Sequence, residues 1–220
     1  MKNKKNIALM WGIAVIPLIL VALSYASLPN VVPIHFGFDG MVNSYGPKST
    51  LWILGGIGPL LAVMFQYMPH FDPRRTNYPK FQKYYDLFAI GTELFMLAMA
   101  ALLLTEILRP GTISIGRSVT ALIAVLFILI GNMMGKVKPN YFFGLKNPWT
   151  LSDPDVWVRT HRLCGILWFV MGVVLLPCCL LLPEKVFFVL LMVGVLGSTV
   201  LVNILSCIWY RQKHPKSTEE

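Results

Sequence analysis

Acidic side chains are scarce in this 220-residue chain: 10 Asp and Glu stand against 19 Lys and Arg, and charged residues of both signs make up only 13%. So little charge cannot cover the surface of a water-soluble domain of this length, and with 56% hydrophobic residues the composition is that of an integral membrane protein. Cysteine is sparse too. Cys164, Cys178, Cys179 and Cys207 fall inside apolar segments, with no CxxC and no spacing suited to a disulfide framework or a metal, and they read as small buried hydrophobes. GxSxG, HExxH and paired intramembrane aspartates are missing, so a membrane hydrolase has little to build on: His35 with Asp39, or His161 with Asp153 and Asp155. The expectation is a non-enzymatic protein without catalytic residues, metal or cofactor. The formal charge of +9 does not indicate direct nucleic-acid binding, because Lys and Arg sit in short clusters between apolar runs rather than on one basic face.

Six apolar runs are long enough to cross a hydrocarbon core of about 30 Å: 7–28, 51–68, 84–108, 117–134, 160–182 and 186–210. They predict an all-α polytopic membrane protein, a single six-helix domain over 1–220 in contact with the lipid bilayer. Ser24-Tyr25-Ala26 resembles a cleavage site, but the first run exceeds the roughly 7 to 15 residues of a signal core and further spans follow, so the first helix is read as uncleaved, with a kink at Pro17. In the second span, Gly55-Gly56-Ile57-Gly58-Pro59 predicts a closely packed kink. Fifteen Lys and Arg fall on one side of the six-span plan and four on the other. Positive residues favour the inside, which predicts a multi-pass membrane protein with both termini cytoplasmic. The 69–83 loop and the 135–160 motif loop are then cytoplasmic and the 28–50 loop extracellular. The tail RQKHPKSTEE reads as frayed and solvated.

Three groups of residues are candidates for function. The extracellular loop, dense in Gly, Pro and Asn and read as turn-rich, offers His35, Asp39 and Lys48 to a ligand; one His and one Asp are an incomplete metal set. Glu93 lies within the third span, where a carboxylate must face the bundle and be neutral or partnered, and Asn132 and Asn203 are the intramembrane polar residues available to it. The third group is GNMMGKVKPNYFFGLKNPWTLSDPDVWVRTHR, residues 131–162, which is too rich in Asn, Lys, Trp and Pro for a plain connection. Gly144 and Pro148 shape a turn there, and Asn140 and Asn147 can bond local backbone. Ser152 is expected as an N-cap, with Pro154 in the first turn and Asp155 three residues after the cap. The helix begun there runs into span five and carries Trp157, Thr160 and His161 on one face, flanked by Arg159 and Arg162. With Trp149 and Thr150, these residues form either a partner surface or a structural cap on the bundle; Trp and Arg at this depth also serve as interfacial anchors.

The motif stretch, continued through Leu163-Cys164-Gly165, resembles the signature of the SdpI family of bacterial membrane immunity proteins. Leu28-Pro29 through Val32-Pro33-Ile34-His35-Phe36, with Gly46-Pro47-Lys48, is similar to the amino-terminal domain of unknown function often found in the same proteins. One departure is Lys146-Asn147, where the family usually has Arg-Thr before Pro-Trp-Thr; Lys offers a point charge without the planar fork of Arg. The resemblance implies protection of the producing cell from a membrane-acting peptide toxin and, in some members, signalling in which the protein holds a cognate repressor at the membrane. The expected partners are therefore a peptide toxin or envelope ligand outside and a cytoplasmic regulator inside. The rival from a different class is a small transporter or flippase with Glu93, Asn132 and Asn203 in a midplane polar site.

Overall fold

The computed structural model describes residues 3–37 and 40–215, and it has six helices long and apolar enough to cross a membrane. Helix α1 (Lys4–Ser24) starts on an Asn3 cap and runs through Pro17. It is followed by strands β1 (Val31–Phe36) and β2 (Val42–Pro47), helices α2 (Leu51–Phe71) and α3 (Gln82–Leu108), then α4 (Ile115–Met134), a short α5 (Pro148–Ser152), α6 (Pro154–Leu181) and α7 (Glu184–Lys213). Large apolar side chains remain exposed along the long helices, among them Leu23, Ile53, Leu94, Val125, Val174, Val193 and Leu196. In a bilayer these are the lipid-facing positions, and a helix satisfies its own backbone there without water.

The helices form two groups of three. Helices α1, α2 and α3 pack on one another, as do α4, α6 and α7, and α3 packs on α4 where the groups meet. Small residues set the spacing. A Cβ on Gly58 would stand 2.6 Å from the Ala14 carbonyl oxygen of α1, and one on Gly131 would stand 2.3 Å from the Phe169 backbone nitrogen of α6. Span two is one helix that continues through Pro59 to Phe71, with the glycines Gly55 and Gly58 on its buried side.

Two sequence expectations are corrected at this level. The 28–50 segment is not merely turn-rich: β1 and β2 form an antiparallel hairpin in the register Val31–Pro47, Val32–Gly46, Pro33–Tyr45, His35–Ser44 and Phe36–Val42, with irregularities around His35. In a two-stranded sheet both strands are edges, so prolines that break a central strand are tolerated. Val32, buried, packs with Val21, Leu28, Leu51, Leu104 and Ile107 and seats the hairpin on the first helix group. The second correction concerns the helix start: Ser152 closes α5, and the cap of α6 is Asp153, whose carboxylate accepts from the N–H groups of Asp155 at 2.8 Å and Val156 at 3.1 Å. Pro154 is the reason, since the residue before a proline is driven to extended backbone and must be the cap when proline opens the helix.

Candidate functional site

At the end of the bundle away from the hairpin, the motif loop is built around Asn140. Its amide donates to the carbonyls of Lys138 at 2.9 Å and Phe143 at 2.8 Å, and its Oδ1 accepts from the N–H of Phe142 at 3.0 Å and Phe143 at 2.6 Å. The turn passes to Gly144 at φ +107°, and a Cβ there would stand 2.4 Å from His161 Nε2. His161 Nε2 accepts from Leu145 N–H at 3.0 Å while Nδ1 lies 2.8 Å from the Trp157 carbonyl, a pairing that calls for the neutral Nδ1–H tautomer. The His161 ring stacks on Trp157 at 3.9 Å, and Trp157 Nε1 donates to the Val137 carbonyl at 3.0 Å. Asn140, Thr150, Trp157, Thr160 and His161 are all fully buried.

The following residues tie α5 and α6 to the last helix. Asn147 caps α5 in a reciprocal box with Thr150, and its amide donates to Asn203 Oδ1 at 2.9 Å and Ser206 Oγ at 2.8 Å on α7. Pro148 occupies the first position of α5. Trp149 is half-buried beside it and Arg162 is exposed. Asp153, besides capping α6, receives Lys213 and His214, each at 2.9 Å. Burial alone would raise the Asp153 carboxyl, but the bonds from His214, Lys213 and the two cap N–H groups hold it well below the usual carboxylate range. The tail expected to fray is therefore anchored as far as His214, while residues 216–220 lie outside the described residues.

The 69–83 loop closes over the same motif. Asp72, buried, accepts from the N–H groups of Arg74 and Tyr141 and from the Tyr78 hydroxyl. Burial and the bond to Asp72 push the Tyr78 phenol far up, so it stays a donor. Arg74 donates to the Leu151 carbonyl at 2.8 Å and lies over the Tyr141 ring. Asp86 accepts from Asn6 at 2.7 Å and Gln82 at 2.6 Å. Residue-type reasoning passed over Asp72 and Asp86; the scarcity of acidic groups was the one signal for them, since a buried carboxylate must find donors.

At the opposite end, His35 Nδ1 lies 2.6 Å from Asn43 Oδ1 across the hairpin, while Asp39 lies outside the described residues. Lys48 does not face solvent as a free cation: its ammonium donates to the carbonyls of Tyr25 at 3.2 Å and Leu28 at 3.3 Å and sits over the Tyr25 ring. Beneath the hairpin is a cavity of 570 Å³. His35, Asn43, Thr120 and Glu184 supply polar groups, and Met99 of α3, Val119 and Ile123 of α4, and Leu191 of α7 form its apolar wall. Glu184 is bonded by the Ser114 hydroxyl and has Arg117 3.8 Å away. The cavity lies at the junction of the two helix groups.

Glu93 is fully buried, and neither carboxyl oxygen has a hydrogen-bond partner among the described residues; Gly58 is its near neighbour. Of the partners anticipated for it, Asn203 bonds Asn147, and Asn132 lines a groove with Lys136 and Arg162. Nor do the motif's histidine and aspartate form a pair, since His161 bonds Leu145 and Trp157 whereas Asp153 bonds Lys213 and His214.

Comparison with known proteins agrees with the resemblance of both segments. Residues 136–208 match the SdpI/YfhL protein family, and residues 12–58 match a domain of unknown function, DUF1648. The chain is 23% identical over 207 residues to the Immunity protein SdpI of Bacillus subtilis (strain 168), covering 90% of this chain and 96% of that protein. No solved structure matches.

Proposed function

From a chain that joins a DUF1648 region to an SdpI/YfhL region, we propose a non-enzymatic immunity function: protection of the cell that makes it against a membrane-acting peptide. The observation that carries this reading is the similarity to an immunity protein along 90% of the chain. The excess of Lys and Arg on the motif side favours cytoplasmic termini and an external hairpin. A peptide arriving from outside then meets the cavity beneath the hairpin, whose apolar wall and few convergent polar groups suit an apolar segment with a polar end.

Deleting the gene in its host and challenging with membrane-acting peptides tests the reading. Increased sensitivity to at least one peptide is expected, restored by the wild-type gene and not by an equally abundant V119W variant that fills the cavity. Unchanged sensitivity across the peptides overturns the immunity function; full rescue by V119W overturns the cavity as its site.

A signalling role adds a soluble regulator at the motif end. Because Asn140, Trp157 and His161 are buried, the residues offered to such a partner are Tyr141 and Phe142, 41% and 37% exposed, with Lys146 beside them. The transporter reading rests on one specific observation, the buried Glu93 between α1, α2 and α3, whose carboxyl has no hydrogen-bond partner among the described residues. It requires E93Q protein in liposomes to lose proton-coupled uptake that the wild type performs; equal uptake removes Glu93 from any such role.

A further inference from the structure

Where α4 meets α6 near the motif loop, the close approach at Gly131 and Gly165 leaves a lipid-facing groove of 330 Å³ along the seam. Three polar side chains line it: Asn132, Lys136 and Arg162. All three are exposed, and none has a side-chain hydrogen bond or ion pair among the described residues. Asn140, Asn147, Asp153 and His161 of the same motif are hydrogen-bonded, and an amide facing hydrocarbon without a partner is costly. Along α6 the groove continues from Arg162 to Ile166, Phe169 and Val170, which share a helix face and are 56%, 39% and 51% exposed. One end is therefore cationic and hydrogen-bonding, and the other is open and apolar.

We propose that this groove binds an anionic glycerophospholipid from the leaflet on the motif side. Lys136 and Arg162 meet the phosphodiester, the Asn132 amide donates to a phosphate or ester oxygen, and an acyl chain lies along Ile166, Phe169 and Val170. Arg supplies a planar fork and Lys a point charge to the same anion, and the helical seam provides a slot that a flat lipid-facing surface lacks. Bound there, the lipid bridges α4 and α6 and completes the polar side of a junction that the protein leaves open.

The full-length protein in neutral detergent, titrated with dioleoylphosphatidylglycerol or dioleoylphosphatidylcholine and read by native mass spectrometry, tests this. One phosphatidylglycerol is expected to be retained in preference to phosphatidylcholine, and K136Q/R162Q is expected to bind it roughly thirtyfold more weakly, from about 1 kcal/mol for each basic residue at an anionic surface. A melting curve of the lipid-free double variant matching the wild type shows that folding is intact, and both substituted side chains are exposed. Equal retention of the two lipids by the wild type, or unchanged phosphatidylglycerol affinity in the variant, overturns the proposal. So does displacement of the lipid by millimolar inorganic phosphate, which would make the groove a free-anion site.

Discussion

Gly144 and His161 show how one atom position can set the motif. With φ at +107° and His161 Nε2 2.4 Å from any added Cβ, Gly144 faces a conformational and a steric demand together. We predict that G144A lowers stability by about 1 to 3 kcal/mol, seen as a lower melting temperature in detergent. Asp153 permits a cleaner electrostatic test, because Asn is as good a cap as Asp, so D153N removes charge while keeping the cap. Its carboxyl is depressed in the folded protein, so its contribution is complete above the unfolded value of about 3.9 and is lost as pH falls toward the depressed folded value. The melting difference between wild type and D153N should shrink as pH falls below about 4. A difference that grows on acidification would contradict the assignment.

Among the elements, the decisive contact is between α4 and α6. Gly131, Gly165 and Gly172 bring backbone to backbone: an added Cβ would stand 2.3 to 2.7 Å from the facing helix. Helices that associate in lipid lack a hydrophobic driving force and depend on such close packing. G131V should therefore reduce the folded yield and melting temperature sharply. By contrast, Gly12 has nothing within 4 Å of its Cβ position, and G12A should be neutral or stabilise by up to about 1 kcal/mol through helix propensity. The same melting assay on both variants separates packing from propensity, and equal effects would remove the seam from the account.

The whole molecule divides into two helix groups, tied together at the motif end by an aromatic cluster: Phe143 stacks on Phe81 at 6.5 Å and meets Phe88 at 4.5 Å. The hairpin-side cavity opens between the same two groups, so a ligand there and the motif far from it are linked through rigid helices. Any influence of one on the other requires two arrangements of the groups with different ligand affinity. Topology is testable at this scale. With the native cysteines replaced, a cysteine at Gly111 should be labelled by a membrane-impermeant maleimide in intact cells and one at Lys138 only after lysis; the reverse pattern would invert the proposed orientation. Y141A/F142A should keep the wild-type melting temperature and lose any regulator binding measured by pull-down, whereas W157A should lose stability.

The six spans, the family resemblance and the charge bias were legible without tertiary structure, because each depends on local properties: apolar length against bilayer thickness, and the side on which Lys and Arg accumulate. The motif's importance was legible too, as a loop with more Asn, Trp and Pro than a connection needs. Its partners were not. That Asn147 holds Asn203, that Asp153 draws in Lys213 and His214, and that Lys48 caps the end of α1 depend on which helix faces meet, and residues up to 61 positions apart are joined only when the bundle closes. The hairpin was hidden because short edge strands tolerate proline and glycine. Composition thus determined that the chain crosses a membrane and where; only packing decided which polar groups bond one another, because the partners that buried groups find on losing water are brought by other segments, and Glu93 and Thr160 are buried without one among the described residues.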